Sequence, residues 1–227
     1  LAFSSGMGAT DTVMKLLKPG DEVITPPITF IATQATAALF GATIVFADVQ
    51  SDTANIDPIS VEAAITPRTK AIVAVDYAGH PADMDELRVM ADKHGIYLIE
   101  DAAEALGSNI NNKPCGSYGE FGVLSFNGNK IITSGGGGTI VTNDIELGLK
   151  AKHLVTTAKV PHLYEYIHDE IGYNFRMPNL NAALACAQLE QLETFIRNKR
   201  NLALEYNVFF ESQGIKFRKE LPNTKAN

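Results

Sequence analysis

The chain has 227 residues, of which 45% are apolar, so it is long enough to bury one substantial core with a small appendage. Its formal net charge of −7 argues against a general nucleic-acid binder and against a membrane-surface protein. Two cysteines without a CxxC pair favour reduced thiols in a cytoplasmic protein over a disulfide or a metal site. No apolar stretch approaches the length of a membrane span.

Apolar strands and amphipathic helices alternate along most of the chain. Helices are predicted, in chain order, at 5–17, 30–40, 58–65, 84–94 and from 144 onward. Strands are predicted at 22–25, 43–47, 71–75, 96–99, 122–126 and 139–142. This alternation is typical of the α/β class and predicts a three-layer αβα sandwich, in which helices cover both faces of a mostly parallel sheet.

From Pro178 onward the pattern changes to one long helix that runs to residue 211, and we expect Cys186 in this apolar run to be buried. We place a domain boundary at this change. Residues 1–177 form a large domain, and residues 178–227 form the long helix and the start of a small C-terminal domain. Because the chain opens at Leu1 without a methionine, we expect a fragment cut from a longer protein.

Two chemically active side chains follow neighbouring strands. Asp101 follows the strand at 96–99, and Lys130 lies between the strand at 122–126 and four consecutive glycines. A lone carboxylate at a strand end often only caps a helix. A lysine between a buried strand and a glycine loop is poorly explained as a surface charge, since partial burial frees its amine as a nucleophile. The pair suits an aldehyde cofactor whose pyridine nitrogen is kept protonated by the aspartate.

An anion site is predicted at the start of the chain. Gly6 and Met7 lie in an SSGMG run that leads into a helix, where backbone N–H groups can bind a phosphate. Ser125 can add a hydroxyl, and Phe30 can stack on an aromatic ring. Glycine turns before helices are common, and a core aromatic is the alternative for Phe30. An aldehyde, a pyridine ring and a phosphate together describe pyridoxal 5′-phosphate.

Residues 71–143 closely resemble the DegT/StrS-type sugar-nucleotide aminotransferases, whose fold is that of the fold-type I pyridoxal-phosphate transferases. The resemblance extends from Pro19 to the C-terminus. It implies that the chain is truncated at both ends, since the family's segment ahead of Leu1 and most of its small C-terminal domain are missing. The runs that carry it are EDAAEALG at 100–107, GSYGEFG at 116–122, LSFNGNK at 124–130 and GYNFRMPNLN at 172–181. The string SFNGNKIITSGGGG resembles most the branch that acts in legionaminic-acid and bacillosamine pathways.

The resemblance implies a role for each matching residue. Lys130 would bond covalently to the cofactor and Asp101 would pair with its ring nitrogen. The remaining implied positions are Glu104 beside the ring, Ser125, Gly6 and Met7 at the phosphate, Phe30 on the ring face, Asn174 at the phosphate of a partner subunit and Arg176 at the substrate or the interface.

The implied activity is amino transfer from an amino acid, glutamate by resemblance, to a keto group of a nucleotide-linked deoxysugar. It would serve surface-polysaccharide or nonulosonic-acid biosynthesis, in a cytoplasmic homodimer without nucleic-acid, membrane or metal partners. A related sugar dehydratase carries His at the position of Lys130, which argues against that alternative.

Two further alternatives stay open. Residues 1–24 look more like the cysteine and methionine branch of the same fold type, which suggests a lyase of sulfur amino acids. A module that keeps the fold without catalysis is the other alternative, although Lys130, Asp101 and Ser125 together argue against it.

Overall fold

The computed structural model describes residues 1–227. The helices are α1 (Gly6–Met14), α2 (Ala32–Leu39), α3 (Pro58–Ala64), α4 (Met84–His94), α5 (Ile145–Val155), α6 (Asn179–Leu189) and α7 (Leu192–Glu211). The strands are β1 (Ala2–Phe3), β2 (Glu22–Thr25), β3 (Thr43–Phe46), β4 (Thr69–Val75), β5 (Tyr97–Asp101), β6 (Asn109–Ile110), β7 (Lys113–Pro114), β8 (Phe121–Ser125), β9 (Gly138–Val141), β10 (Lys159–Val160), β11 (Ile167–His168) and β12 (Thr224–Lys225).

Seven strands form the central sheet in the order β1-β9-β8-β5-β4-β2-β3. The pairings from β8 through β5, β4 and β2 to β3 are parallel, whereas β9 pairs antiparallel with both β8 and β1. The prediction of an α/β fold with a mostly parallel sheet is therefore confirmed. Parallel strands end at the same edge, so this arrangement brings the ends of β4, β5 and β8 together.

The core lies on both faces of the sheet, as the three-layer prediction requires. Successive strand residues point to opposite faces, so Val23 and Ile24 are both fully buried but belong to different apolar clusters. The cluster around Val23 packs against α1 and α5, and the cluster around Ile24 packs against α3 and α4. Both β-faces are therefore covered, and the strand ends stay accessible for a site.

Local capping explains where several helices begin and end. The Ser5 hydroxyl accepts the Gly8 N–H at 3.0 Å, which starts α1 directly after the short strand β1. Helix α4 matches its predicted bounds, because Gly95 adopts a left-handed conformation with φ of 65° and ends it.

The prediction of one long helix from Pro178 to residue 211 is wrong, because α6 and α7 are separate helices. Glu190 and Gln191 interrupt them, and the Gln191 N–H bonds to Gln188 O in a tighter turn. This break directs Leu192 and Phe195 onto the apolar cluster below the β8 loop. Such packing cannot be deduced from a periodic pattern that continues through the break.

The expectation that Cys186 is buried is also wrong. Helix α6 buries only Ala185 among its residues, and Cys186 is exposed. An apolar run on a helix therefore does not by itself establish which of its faces packs against the rest of the chain.

The end of the chain returns to the large α/β unit. Strand β12 pairs antiparallel with β6, and the Asn227 side-chain amide donates to the Glu104 and Leu106 carbonyls. None of the helices combines the length and the apolar character needed to cross a membrane.

Candidate active site

A cavity of about 380 Å³ opens at the carboxyl ends of β4, β5 and β8, a size typical of small-molecule sites. The residues singled out from the sequence that line it are Gly6, Met7, Phe30, Asp101, Glu104, Ser125 and Lys130. These side chains come from segments separated by more than a hundred residues in sequence. The parallel sheet brings them together because its strands end at one edge.

Asp101 provides a half-buried carboxylate in the lining of this cavity. It ends β5 opposite Val75 of β4, and its Oδ1 accepts the Ala103 N–H at 3.2 Å. Its Oδ2 accepts the Thr33 hydroxyl at 2.6 Å. Burial raises the pKa of Asp101, while these two hydrogen bonds and the nearby Lys130 ammonium act in the opposite direction. A cationic N–H placed in the cavity would stabilise the ionised carboxylate further.

Thr33 is a site residue that the sequence reasoning missed. It lies on α2, three residues after Phe30, and its hydroxyl is also 3.0 Å from the Thr29 hydroxyl. Thr33 is almost fully buried in an alanine-rich helix, where a buried polar side chain requires a partner. That pattern could have indicated a buried acceptor, although it could not have named Asp101.

Lys130 reaches the cavity from the loop after β8. Its Nζ is 3.3 Å from Glu104 Oε1, and the lysine side chain is only 15% exposed. Glu104 Oε2 in turn accepts the Ala78 N–H at 3.0 Å. The carboxylate thus holds the amine at the cavity, which Asp101 also lines.

The glycine run after Lys130 folds back against the end of β8. Phe126 N–H donates to Gly137 O at 2.9 Å, and Gly137 has a φ of 155°. A Cβ at Gly137 would lie 2.6 Å from Ser134 Oγ and 2.8 Å from Met177 Cε. A larger residue there would have to displace these two side chains and would hold a strained positive φ, so glycine favours this close packing of the loop that carries Lys130.

A cradle for an anion lies at the start of α1. The N–H groups of Gly6 and Met7 stand at the positive end of this helix, where no intrahelical acceptor exists. A Cβ on Gly6 would lie 3.1 Å from Ser125 Oγ. A Cβ on Gly138 would lie 2.6 Å from Gly6 N. Glycine therefore allows the helix start, the Ser125 hydroxyl and β9 to approach closely around one space.

Phe30 and Asn174 differ in their relation to the cavity. Phe30 is 73% exposed at the cavity wall, so the alternative of a core aromatic is wrong. Asn174 does not line the cavity of its own chain, and its Oδ1 accepts from Arg176 Nε and Nη2 at 3.3 and 3.2 Å. The role of Asn174 in a partner subunit stays a prediction.

Comparison with known proteins identifies the family. The model of the DegT/DnrJ/EryC1/StrS aminotransferase family matches residues 1–226. The chain belongs to this family. The match includes residues 1–24, the segment that had suggested a lyase of sulfur amino acids.

Three relatives illustrate the similarity. The chain is 42% identical to a GDP-perosamine synthase of Escherichia coli O157:H7 over 187 residues, which are 82% of this chain and 51% of that protein. It is 40% identical over 200 residues to the UDP-N-acetyl-3-dehydro-alpha-D-glucosamine 3-aminotransferase of Acidithiobacillus ferrooxidans, covering 86% of this chain and 53% of that protein. The structure of Helicobacter pylori PseC, an aminotransferase involved in the biosynthesis of pseudoaminic acid, matches with a TM-score of 0.88 at 34% identity, covering 92% of this chain and 58% of that one. The chain thus spans about half the length of the curated relatives it matches.

The aminotransferases of this family use pyridoxal 5′-phosphate, and the cavity fits that cofactor. It offers the Lys130 amine for an aldehyde and the Asp101 carboxylate for a ring nitrogen. The anion cradle of Gly6, Met7 and Ser125 is available for a phosphate. These three groups correspond to the three reactive or charged parts of the cofactor.

Proposed function

We propose that the protein transfers an amino group from an amino acid, glutamate, to a keto group of a nucleotide-linked deoxysugar. The observation that carries the proposal is one cavity holding the Lys130 amine, the half-buried Asp101 carboxylate and the anion cradle of Gly6 and Ser125. Family membership supports the reaction class. The names of the relatives above, a GDP-sugar synthase and a UDP-sugar aminotransferase, support the acceptor class.

In this mechanism Lys130 would bond to the cofactor, Asp101 would pair with its ring nitrogen, and Gly6, Met7 and Ser125 would hold its phosphate. When bound, pyridoxal phosphate supplies an electron sink for the charge that develops at the substrate carbon. Lys130 Nζ would take a proton from that carbon as a base and deliver it, as an acid, to the former aldehyde carbon of the cofactor. Glu104, 3.3 Å from this amine, keeps it directed into the cavity.

The remaining proposed groups orient and balance the reaction. The Asp101 carboxylate would stabilise a protonated ring nitrogen through a charge-assisted hydrogen bond. Phe30 presents its exposed ring to the cavity, where it would stack on the cofactor ring. The donor amino acid leaves as its 2-oxo acid, and the oxygen of the sugar keto group leaves as water.

The protein is proposed to act as a cytoplasmic homodimer in which Asn174 reaches the partner's cofactor phosphate. Exposed apolar side chains support an interface, since soluble monomeric proteins rarely expose large contiguous apolar patches. They occur along 163–171 and on α6, where Leu163, Tyr166 and Leu180 are each more than 80% exposed. Division into a large domain at 1–177 and a small domain beginning at 178 is part of the same proposal, as is a role in polysaccharide or nonulosonic-acid biosynthesis.

The test follows nitrogen from donor to acceptor. The full chain is loaded with pyridoxal phosphate and incubated with ¹⁵N-glutamate and a panel of UDP- and GDP-linked 4-keto- and 3-keto-deoxysugars, and products are identified by mass spectrometry. We expect ¹⁵N in one amino sugar and none with Lys130→Ala. Conversion of cystathionine or methionine without transfer to any sugar would instead support the lyase alternative. Cofactor binding without turnover of either substrate class would support the non-catalytic alternative.

A further inference from the structure

Two carboxyl groups lie buried on the side of the sheet edge opposite to the cavity. Asp76 follows β4, and Glu100 precedes Asp101 on β5; both are 0% exposed. Because successive strand residues point to opposite faces, the Glu100 carboxyl is directed away from the Asp101 carboxyl. The proposed reaction uses neither residue, yet burying two acids without a cation is costly.

One oxygen of each carboxyl has a backbone partner. Asp76 Oδ1 accepts the Ala82 N–H at 3.0 Å, and Glu100 Oε2 accepts the Tyr118 N–H at 2.8 Å. The other two oxygens, Asp76 Oδ2 and Glu100 Oε1, are buried without a hydrogen-bond partner. The two carboxyls and the Cys115 thiol have polar atoms within 4.8 Å of one another.

We propose that Asp76 and Glu100 share a single proton across these two oxygens, and that the pair fixes the ends of β4 and β5 and thereby positions Asp101. The link to Asp101 is direct, because the Asp76 N–H donates to the Asp101 carbonyl at 3.1 Å. The same pair anchors the turn through Ala82 and the loop at Tyr118. This proposal rests on the proposed function only for the role of Asp101.

A shared proton explains the two unpartnered oxygens better than two free carboxylates do. Burial and the charge of Glu100 raise the pKa of Asp76, and burial raises the pKa of Glu100. The pair then carries one negative charge and one strong O–H···O⁻ bond.

The other titratable groups around the pair keep their protons or lie at its border. Burial and the two carboxyls raise the pKa of the Cys115 thiol, so this group stays neutral. Burial also raises the pKa of Tyr118 to about 12. The Lys113 ammonium lies over the Tyr118 ring at 3.8 Å and lowers the pKa of Glu100. The Asp85 carboxylate, on α4, raises the pKa of Tyr118.

The proposal predicts a specific dependence of stability on pH. A carboxyl whose folded pKa is raised stabilises the fold fully below its ordinary pKa of about 4, and this contribution is lost as pH rises through the raised value. In that window one extra bound proton makes the unfolding equilibrium constant rise about tenfold per pH unit. The pKa of Asp101 is also raised, so Asp101 gives a pH dependence of stability with the same sign. The contribution of the Asp76–Glu100 pair must therefore be isolated by comparing variants.

The experiment measures denaturant unfolding of the cofactor-free full chain from about pH 5 to about pH 10. In Asp76→Asn the amide oxygen still accepts the Ala82 N–H, and the amide N–H₂ replaces the shared proton toward Glu100. We expect this variant to stay folded and to lose the steep dependence, whereas Asp52→Asn, the same change at an exposed position, keeps it. Parallel profiles of wild type and Asp76→Asn would overturn the shared proton.

A second comparison tests the pairing itself. Glu100→Gln alone should also be tolerated, because its amide donates to Asp76. Combining it with Asp76→Asn turns two N–H₂ groups toward each other, so the double variant should lose more stability than the two single variants together. Additive effects would contradict the pairing. Stoichiometric zinc in the purified protein that Asp76→Asn removes would also overturn it, since a metal would then replace the proton.

The positioning of Asp101 has its own readout. In Asp76→Ala we expect the pH profile of the bound cofactor's absorbance to shift, and in Asp76→Asn we expect it to match wild type. An unchanged profile in Asp76→Ala would show that the pair does not position Asp101. If the protein failed to bind the cofactor at all, the proposed function would be wrong. The stability comparison would still show whether Asp76 and Glu100 share a proton.

Discussion

Thr33→Val removes the one side-chain hydroxyl that donates to Asp101. The Thr33 hydroxyl lies 2.6 Å from Asp101 Oδ2, and Thr33 is 1% exposed, so water has little access to the position of the lost donor. Valine retains the β-branched shape and helix packing. The change therefore tests the hydrogen bond and leaves the surrounding helix in place.

The expected magnitude follows from the charge of the acceptor. A hydrogen bond to an ionised group contributes about 1.5–3 kcal/mol, which corresponds to about one to two pH units in the titration of that group. Since the Thr33 hydroxyl lowers the pKa of Asp101, its removal raises that pKa further. If the ionised carboxylate is the active form, activity is lost below its pKa, and the acid limb of the profile should move upward by about one to two pH units.

The assay is the single-turnover reaction with glutamate, followed by cofactor absorbance across pH. Thr33→Ser keeps the hydroxyl and should behave as wild type. Thr36→Val is the matched control, because Thr36 is equally buried on α2 but its hydroxyl donates to Ala32 O at 2.9 Å. An unshifted acid limb in folded Thr33→Val, or an equal shift in Thr36→Val, would refute the reasoning.

Four further predictions concern the cavity and its assembly. Lys130→Ala should abolish the borohydride-trapped cofactor adduct, and an adduct that persists would assign another amine. Asp101→Ala should slow the glutamate reaction more than about tenfold while the fold survives, because it removes a charge-assisted hydrogen bond; an unchanged rate would contradict its role. Mixing inactive Lys130→Ala and Asn174→Ala chains should restore up to half the wild-type activity per mixed dimer, and no recovery after confirmed exchange would exclude a role in the partner subunit. Gly137→Ala should lower the free energy of unfolding, measured in urea, by about 1–3 kcal/mol. Gly128→Ala is the control, because a Cβ there meets nothing within 4 Å and should leave stability unchanged. Equal effects of the two changes would argue against close packing at Gly137.

Local sequence patterns determined much of this protein's architecture. Alternating strands and helices predicted the α/β fold, and α4 has its predicted bounds because Gly95 ends it. The residues around Asp101 and Lys130 could be singled out because parallel strands place their following residues at one edge. These features depend on backbone geometry and short-range periodicity, and a few neighbouring residues are enough to determine both.

Only the tertiary structure decided which distant side chains meet. Thr33 bonds to Asp101 across 68 positions, and Asp76 faces Glu100 from a neighbouring strand. The break between α6 and α7 and the exposure of Cys186 likewise depend on packing against other elements. A buried hydroxyl or carboxyl needs some partner, and its identity follows from the order and register of the strands, which one segment of sequence does not contain.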